Sequence, residues 1–396
     1  MLKQVKRAIC RLRRDLHQHP ELSWQESRTA QKICESLEGI GITPHRGVAG
    51  TGIVADLPGE SVGPAIALRA DMDALPIHEE TGLSFASNVD GVMHACGHDG
   101  HSAMLIGAAM LLARESRLPA PVRLIFQPAE ETGHGAKAMI REGALDGVGL
   151  IFGGHLDRHF PTGTIAVTDG AVNASSDRFR IEIAGKGGHA ARPHETVDAV
   201  VAGSLLVMAL QTIVSREVNP SHPSVISVGR FEAGTAANVI ADTATLEGTI
   251  RTQDNQVREH LQRSIGRIAQ SIAQLHGAAI HVEIDEGTPV LTNNPTWAAL
   301  AREAAAAVVG TTNVVQMPNA NMGGEDFSYY LEKLPGCYVR IGGHKPGTTA
   351  YPAHSSRFDF DEEALIIGAQ YYHHLAILAG QMICDSTRQT QKRQSA

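Results

Sequence analysis

The sequence predicts an α/β fold interrupted once by an α+β module. Three observations carry this. Short apolar runs bounded by Gly and Pro alternate with helix-length segments up to about residue 176. Near residue 177 the order changes to strand–helix–strand–strand–helix–strand, that of a ferredoxin-like split βαβ module. After Pro289 the first kind of patterning returns. The expected domains are 1–176 with 289–396, discontinuous, and an inserted domain at 177–288.

Each element has a local reason. Residues 1–39 carry a helical pattern through Leu12, Leu16, Ile33 and Leu37, broken at Pro20 and stopped at Gly39-Ile40-Gly41. The runs 52–57, 65–69, 122–126 and 150–154 read as buried strands. Residues 100–113 have helix length and an Ala/Leu/Met composition. In the insertion, Phe179 to Ile183 alternates like a half-exposed strand, and 196–214 is a long apolar helix. Strands follow at 224–233 and 242–252, then an amphipathic helix at 254–275 and a strand at 278–286. A helix at 297–309, a strand at 337–341 and a helix at 361–380 close the pattern. The apolar stretch 201–210 reads as core, the basic stretch 3–14 as a solvated helix face, and the polar end 386–396 as frayed.

Composition narrows the function. The 396 residues include 34 Lys+Arg and 42 Asp+Glu, a formal charge of −8, which argues against a general nucleic-acid binder. No unbroken run approaches about 18 uncharged apolar residues, so no membrane span is expected. The basic N-terminus has no apolar stretch and small-residue cleavage site, so it does not read as a secretory signal. Five scattered cysteines make neither a disulfide framework nor a CxxC pair, and a reducing cytoplasm is the simplest expectation. The 20 histidines stand out, because histidine is the commonest metal ligand.

Those histidines cluster beside acids and one cysteine. Asp71 and Asp73 lie two apart at a strand end, so they share a face. His94, Cys96, His98, Asp99 and His101 fall within eight residues just before a helix. A thiolate and an imidazole separated by one glycine suit zinc-like ions. Asp99 or His101 reads as a supporting contact rather than a ligand. Glu130 and Glu131 follow another strand, and neighbouring side chains in extended chain point apart, leaving one for metal and one as a base. Taken alone, such a pair is also a common solvated helix start. His155 and His354 are each unremarkable alone. With Cys96, His98 and Glu131 they make five donors near strand ends, which suggests two metals sharing one bridging ligand.

At this point the chain resembles the M20 metallopeptidase family, in its aminoacylase, hippurate hydrolase and indoleacetyl-amino-acid hydrolase branch. The resemblance rests on RRDLHQHPELSWQE (13–26), ALRADMDALPI (67–77), MHACGHDGHSAML (93–105), VRLIFQPAEE (122–131), GKGGHAARPH (185–194), GTAANVIADTATLEGTIRT (234–252), GGEDFSYYLEKLPGCYVRIG (323–342) and HSSRFDFDEEAL (354–365). It implies a zinc-peptidase-like catalytic domain with a mixed, largely parallel sheet, interrupted by a ferredoxin-like dimerisation or lid domain. It implies two divalent ions per subunit (Zn, Mn, Ni or Co) held by Cys96, His98, Glu131, His155 and His354, with Cys96 bridging where other branches carry aspartate. Glu130 falls on the general base for a metal-bridged hydroxide, and Asp73 on the aspartate that orients the site. Asp71 stands where other branches have a metal-binding histidine and receives no ligand role. His189 resembles a histidine that reaches a partner subunit's site and polarises the scissile carbonyl, and Asn238 and Arg251 resemble substrate contacts. The implied substrate is an N-acyl amino acid, hippurate-like or acetylated, and the implied assembly a homodimer or higher homo-oligomer through the insertion. Ala241 and Ser356 stand where the family usually has proline.

Other readings carry less. Gly185-Lys186-Gly187-Gly188-His189-Ala190 formally matches a dinucleotide fingerprint but lies inside the ferredoxin-like module. The one GxSxG match, Gly59-Glu60-Ser61-Val62-Gly63, falls between the strand-like runs 52–57 and 65–69 with no helix after it, so it does not read as a nucleophile elbow, and no GxxxxGK[ST] loop is present. A dinuclear dipeptidase or carboxypeptidase is the nearest alternative. A metal-containing protein without catalysis is the third, and loss of Glu130 or of a ligand, its signature, is not seen.

Overall fold

The computed structural model describes residues 1–61 and 63–394. The chain forms two compact units, Met1–Gly170 with Thr292–Pro318 and Asp326–Ala396, and Ala171–Leu291 with Asn319–Glu325. The second unit thus takes Asn319–Glu325, which the sequence expectation left with the first. Backbone bonds explain it: Ala174 N donates to Asn321 O and Asn321 N to Val172 O, both at 2.8 Å.

The elements run α1 (Leu2–Gln18), α2 (Ser27–Glu38), β1 (Pro44–Val48), β2 (Gly52–Leu57), β3 (Ala65–Asp71), α3 (His98–Leu112), β4 (Val122–Gln127), α4 (Gly135–Arg141), β5 (Val148–Pro161) and β6 (Ile165–Ala166). Then come β7 (Gly170–Asn173), β8 (Ser175–Ala184), β9 (Gly188–His189), α5 (Ala199–Thr212), β10 (Ser224–Ala233), β11 (Val239–Ile240), β12 (Thr243–Thr252), α6 (Asn255–His276) and β13 (Ala279–Thr288). The chain closes with β14 (Leu291–Asn293), α7 (Pro295–Val309), β15 (Val314–Val315), α8 (Ser328–Leu331), β16 (Gly336–His344) and α9 (Glu363–Gln394). The backbone is therefore helical over most of the stretch read as frayed, and 395–396 lie outside the described residues.

The first unit holds an eight-stranded sheet in the order β1-β2-β4-β3-β5-β16-β6-β15. The pairs β3/β4, β3/β5, β5/β16 and β6/β15 are parallel; β1/β2, β2/β4 and β6/β16 are antiparallel. The sheet is mixed and largely parallel, with its core in Leu68, Leu105, Phe126, Phe152, Val339 and Leu365. Because β3, β4 and β5 are parallel neighbours, their carboxyl ends share one edge, where sites form in such sheets. Two strands exceed expectation. β5 runs to Pro161 because its polar second half pairs with β16, from Arg340↔His155 to His344↔Pro161. The polar β1 is an edge strand on β2, a position that needs no apolar pattern.

The four-stranded sheet of the second unit is antiparallel throughout, in the order β10-β12-β8-β13. With α5 and α6 this is the ferredoxin-like order. Phe179, Ile181 and Ile183 of β8 are buried with Leu206, Leu210, Leu246 and Ile265, while Arg180 and Glu182 are exposed. The reading of 201–210 as core holds for one face of α5 only. Val201, Leu205 and Met208 are exposed, at 46%, 42% and 68%. By length and composition the helical segment Ala199–Glu217, mean hydropathy 1.6, is apolar enough to cross a membrane. Counting unbroken apolar residues missed this, because Ser204, Gln211 and Thr212 interrupt the run. Ala202, Leu206 and Leu210 instead pack on the unit's own core.

The basic stretch 3–14 is not wholly solvated. Arg13 is buried, its Nε donating to Asp99 at 2.9 Å and its guanidinium stacked on Phe360 at 4.3 Å. One turn on, His17 bonds Asp99 at 2.8 Å and Glu79 at 3.3 Å. Burial pushes the His17 pKa down, but its bonds to Asp99 and Glu79 outweigh this and raise it from 6.5 to about 8. A raised histidine pKa stabilises the fold fully below about 6.5, and that contribution is lost as pH rises through about 8. The shift corresponds to roughly 2 kcal/mol. Denaturant titrations at pH 6 and pH 9 check this: wild type should lose about that much more stability than His17→Gln. Equal losses in both proteins would remove His17 from the account.

Candidate metal centre

β3 ends at Asp71 and the chain carries Asp73 two residues past it; β4 ends three residues before Glu130. Gly97, at φ 88°, is the left-handed cap that starts α3. This lets Cys96 and His98 turn to one side, and a Cβ there would stand 3.2 Å from Leu156. β5 delivers His155, and the loop after β16 delivers His354, whose backbone N donates to Ala95 O at 2.8 Å.

The side chains converge on Cys96. Its Sγ lies 3.3 Å from His155 Nε2. Glu131 is 3.8 Å from His98 Nε2 through one carboxylate oxygen and 3.4 Å from His354 Nε2 through the other. Two sets of three donors, Cys96/His98/His155 and Cys96/Glu131/His354, each lie within 4.8 Å of one another and share the sulfur. Within the first unit the structure thus brings together all five residues expected as ligands. Their chemistry fits divalent metal: among the described residues His98 Nε2 and Glu131 Oε1 are buried with no hydrogen-bond partner, and a mixed S, N and O set suits zinc-like ions.

Supporting contacts orient these donors. Asp73 Oδ1 accepts from His98 Nδ1 at 3.2 Å and from the Glu130 amide at 3.1 Å; Oδ2 accepts from Ser23 Oγ at 2.7 Å and the Glu131 amide at 3.0 Å. His98 therefore presents its Nε2 lone pair inward. His155 Nδ1 donates to Leu156 O at 2.6 Å, which leaves its Nε2 facing Cys96. His101 Nδ1 donates to Asp71 Oδ1 at 2.6 Å and its Nε2 accepts from the Leu156 amide at 2.9 Å. Asp71 also pairs with Arg69 at 2.6 Å, and Arg69 with Asp326 at 2.8 Å. Asp71 and His101 are braces, and Asp99 ties the start of α3 to Arg13 and His17.

The electrostatics favour the ligand form at His155 and oppose it at Cys96 and His98 until a cation stands beside them. Burial, with His101 and Arg340 nearby, holds His155 well below its usual pKa, so the ring is the neutral ligand form. Burial pushes the Cys96 thiol well up, and Glu131 adds to it, so the thiolate needs a cation beside it. For His98, burial lowers the pKa, but Asp71, Cys96 and Asp73 outweigh it and hold it well above normal.

One expectation is corrected. Glu130 and Glu131 do not point apart: Glu130 Oε2 is 4.0 Å and Glu131 Oε1 3.8 Å from the same His98 Nε2. The reason is that the pair lies not in extended chain but in a turn, closed by Gly133 N donating to Glu130 O at 2.7 Å.

The second unit carries His189, Asn238 and Arg251. His189 pairs with Val239 across the β9/β11 ladder, and Ala190 N donates to Asn238 O at 3.1 Å, so His189 and Asn238 are exposed neighbours on one short two-stranded ladder. Arg251 lies on β12, half-buried, opposite Ser176 and Val225. Partial burial and Arg178 lower its pKa, and among the described residues no carboxylate pairs with it within 4 Å. Sequence reasoning gave no roles to Arg13, His17, Ser23 or Glu26. All four lie in the 13–26 stretch that carried part of the resemblance, which was the signal available.

Comparison with known proteins bears on the whole chain. The profile of Peptidase family M20/M25/M40 matches residues 67–377. An N-acetylcysteine deacetylase of Bacillus subtilis is 44% identical, covering 93% of this chain and 96% of its own. A thermostable carboxypeptidase of Saccharolobus solfataricus is 40% identical, covering 95% and 96%. A Bacillus subtilis crystal structure, described as a dinuclear metal-binding peptidase of the M20 family, is 41% identical with a TM-score of 0.85, covering 96% of this chain and 99% of that one. The motifs, the sheet and these likenesses agree, and the chain belongs to Peptidase family M20/M25/M40.

Proposed function

We propose that the protein is a metal-dependent amidohydrolase that cleaves N-acyl-L-amino acids to a carboxylic acid and a free amino acid. The observation that carries this is the pair of donor sets sharing Cys96, with Glu130 beside them. Similarity to a deacetylase of an N-acyl amino acid, at 44% identity, directs the substrate class. Cys96, His98 and His155 would hold one divalent ion and Cys96, Glu131 and His354 the other, as Zn, Mn, Ni or Co. When bound, the ions supply Lewis acidity and make water nucleophilic at neutral pH. Glu130 takes the proton from the attacking water and passes it to the leaving amide nitrogen. Asp73 keeps His98 in its ligand tautomer through the 3.2 Å bond to Nδ1. His189 and Asn238 serve the substrate carbonyl, His189 in a partner subunit's site. Arg251, with no carboxylate within 4 Å among the described residues, offers a planar fork to the substrate carboxylate.

The assembly that goes with this is a homodimer through the inserted unit. Val201, Leu205 and Met208 of α5 stand exposed, as do Val225 and Phe231 on β10, an edge strand of its sheet. Leu205→Asp combined with Met208→Lys should give monomers in sedimentation where wild type gives dimers. Monomeric wild type would remove the assembly. With all five cysteines free thiols, a reducing cytoplasm is the proposed location.

The test of the activity is amino-acid release from hippurate, N-acetyl-methionine and a plain dipeptide, using metal-stripped protein with Mn or Zn restored. Metal-dependent release from the acyl amides, with little from the dipeptide, is expected. Release mainly from the dipeptide would replace this reading with the peptidase one, which the similarity to a carboxypeptidase keeps as the second choice.

A further inference from the structure

We propose that Glu26, which belongs to neither the metal donors nor the proton-transfer group, is the positioning residue that aims the turn carrying Glu130 and Glu131. Its side chain is fully buried. Oε1 accepts from the amide of Ala129 at 2.9 Å and from that of Trp24 at 3.0 Å, and Oε2 accepts from Thr51 Oγ1 at 2.7 Å.

The two amides on Oε1 have something in common. Among the described residues only Trp24, Ala49, Ala129 and His354 are non-glycine with positive φ. Left-handed backbone is unfavourable for residues with a Cβ and persists only where the surroundings impose it. One carboxylate oxygen therefore holds two of these four, Trp24 at φ 68° and Ala129 at φ 54°.

The strain at Ala129 has a chemical consequence. In extended chain Glu130 and Glu131 would face opposite sides. They lie instead in a turn closed by Gly133 N donating to Glu130 O at 2.7 Å, and the left-handed residue before it sets the direction in which that turn leaves β4, with both carboxylates within 4.0 Å of His98 Nε2. Asp73 then holds the following two amides, and Ser23, on the same segment as Glu26, holds Asp73. Residues 23–26 thus fix the acidic turn from behind without entering the cluster.

This rests on the assignment of Glu130 and Glu131 given above, so its test has two readouts: steady-state amide hydrolysis, and the visible absorption of cobalt-substituted protein. Glu26→Ala should lower kcat roughly 10- to 100-fold with little change in KM, the scale expected for a misplaced group, and should alter the cobalt spectrum. Glu26→Gln, which keeps an acceptor oxygen, should restore both. Ala129→Gly in the Glu26→Ala background should recover part of kcat, because glycine takes the left-handed turn without support. Should Glu26→Ala not fold, Glu26→Asp, one methylene short of both amides, carries the same test. Unchanged kcat and spectrum, or a Gln variant as impaired as Ala, would overturn the proposal while leaving the amidohydrolase reading intact. If wild type cleaves no acyl amide yet the cobalt spectrum still responds to Glu26→Ala and recovers with Gln, the positioning role stands and the substrate reading falls.

Discussion

Glu130→Ala should bind both metals as wild type does and lose turnover by roughly 100- to 10,000-fold, the range that general acid–base catalysis contributes. Glu130 lies outside the two donor sets that share Cys96, so its removal leaves five donors in place. Its backbone is held by Asp73 Oδ1 at 3.1 Å, so truncating the side chain leaves the turn intact. The loss should fall on kcat with KM nearly unchanged, because a proton carrier acts in the transition state. Metal analysis beside steady-state kinetics checks both halves. Retained turnover would remove Glu130 as the base, and lost metal would make it a ligand instead.

Cys96 should give the opposite pattern. It belongs to both donor sets, so Cys96→Ala strips a donor from each at once. Removing a mere supporting contact to a ligand costs about 10- to 100-fold in metal affinity, and removing a shared ligand should exceed that. Activity and metal should be lost together. Cys96→Asp should keep two metals, since a carboxylate has two oxygens with which to bridge and aspartate is what the resemblance places here in other branches. Dialysed protein assayed for metal per chain decides it, and an Ala variant holding two ions would show that the sulfur bridges nothing.

The site was legible where donors crowd in sequence. His98 follows Cys96 after one glycine, Glu131 follows a strand, and these residue types have few other reasons to gather. The inserted module was legible from element order, because alternation in Phe179–Ile183 and the periodicity of Asn255–His276 each reflect one buried face. Long-range partners were not legible. Arg13 sits in a basic run, and only its contact with Asp99, 86 residues away, separates it from its solvated neighbours. Nothing in the sequence singles out Glu26, whose oxygen accepts from the Ala129 amide 103 residues on. The apolar helix α5 misled for a different reason. Composition registers that Leu205 and Leu206 are apolar, but only packing assigns Leu206 to the core and leaves Leu205 outside.

Cys96 belongs to both donor sets, so two ions held there would act together on an acyl amide. The most direct measurement titrates metal-stripped protein with Mn or Zn while following amino-acid release from N-acetyl-methionine and counting bound metal. The stripped protein should release nothing, and the rate should plateau at two ions per chain. Full activity in the stripped protein, or a plateau at one ion with no second ion bound, would contradict it.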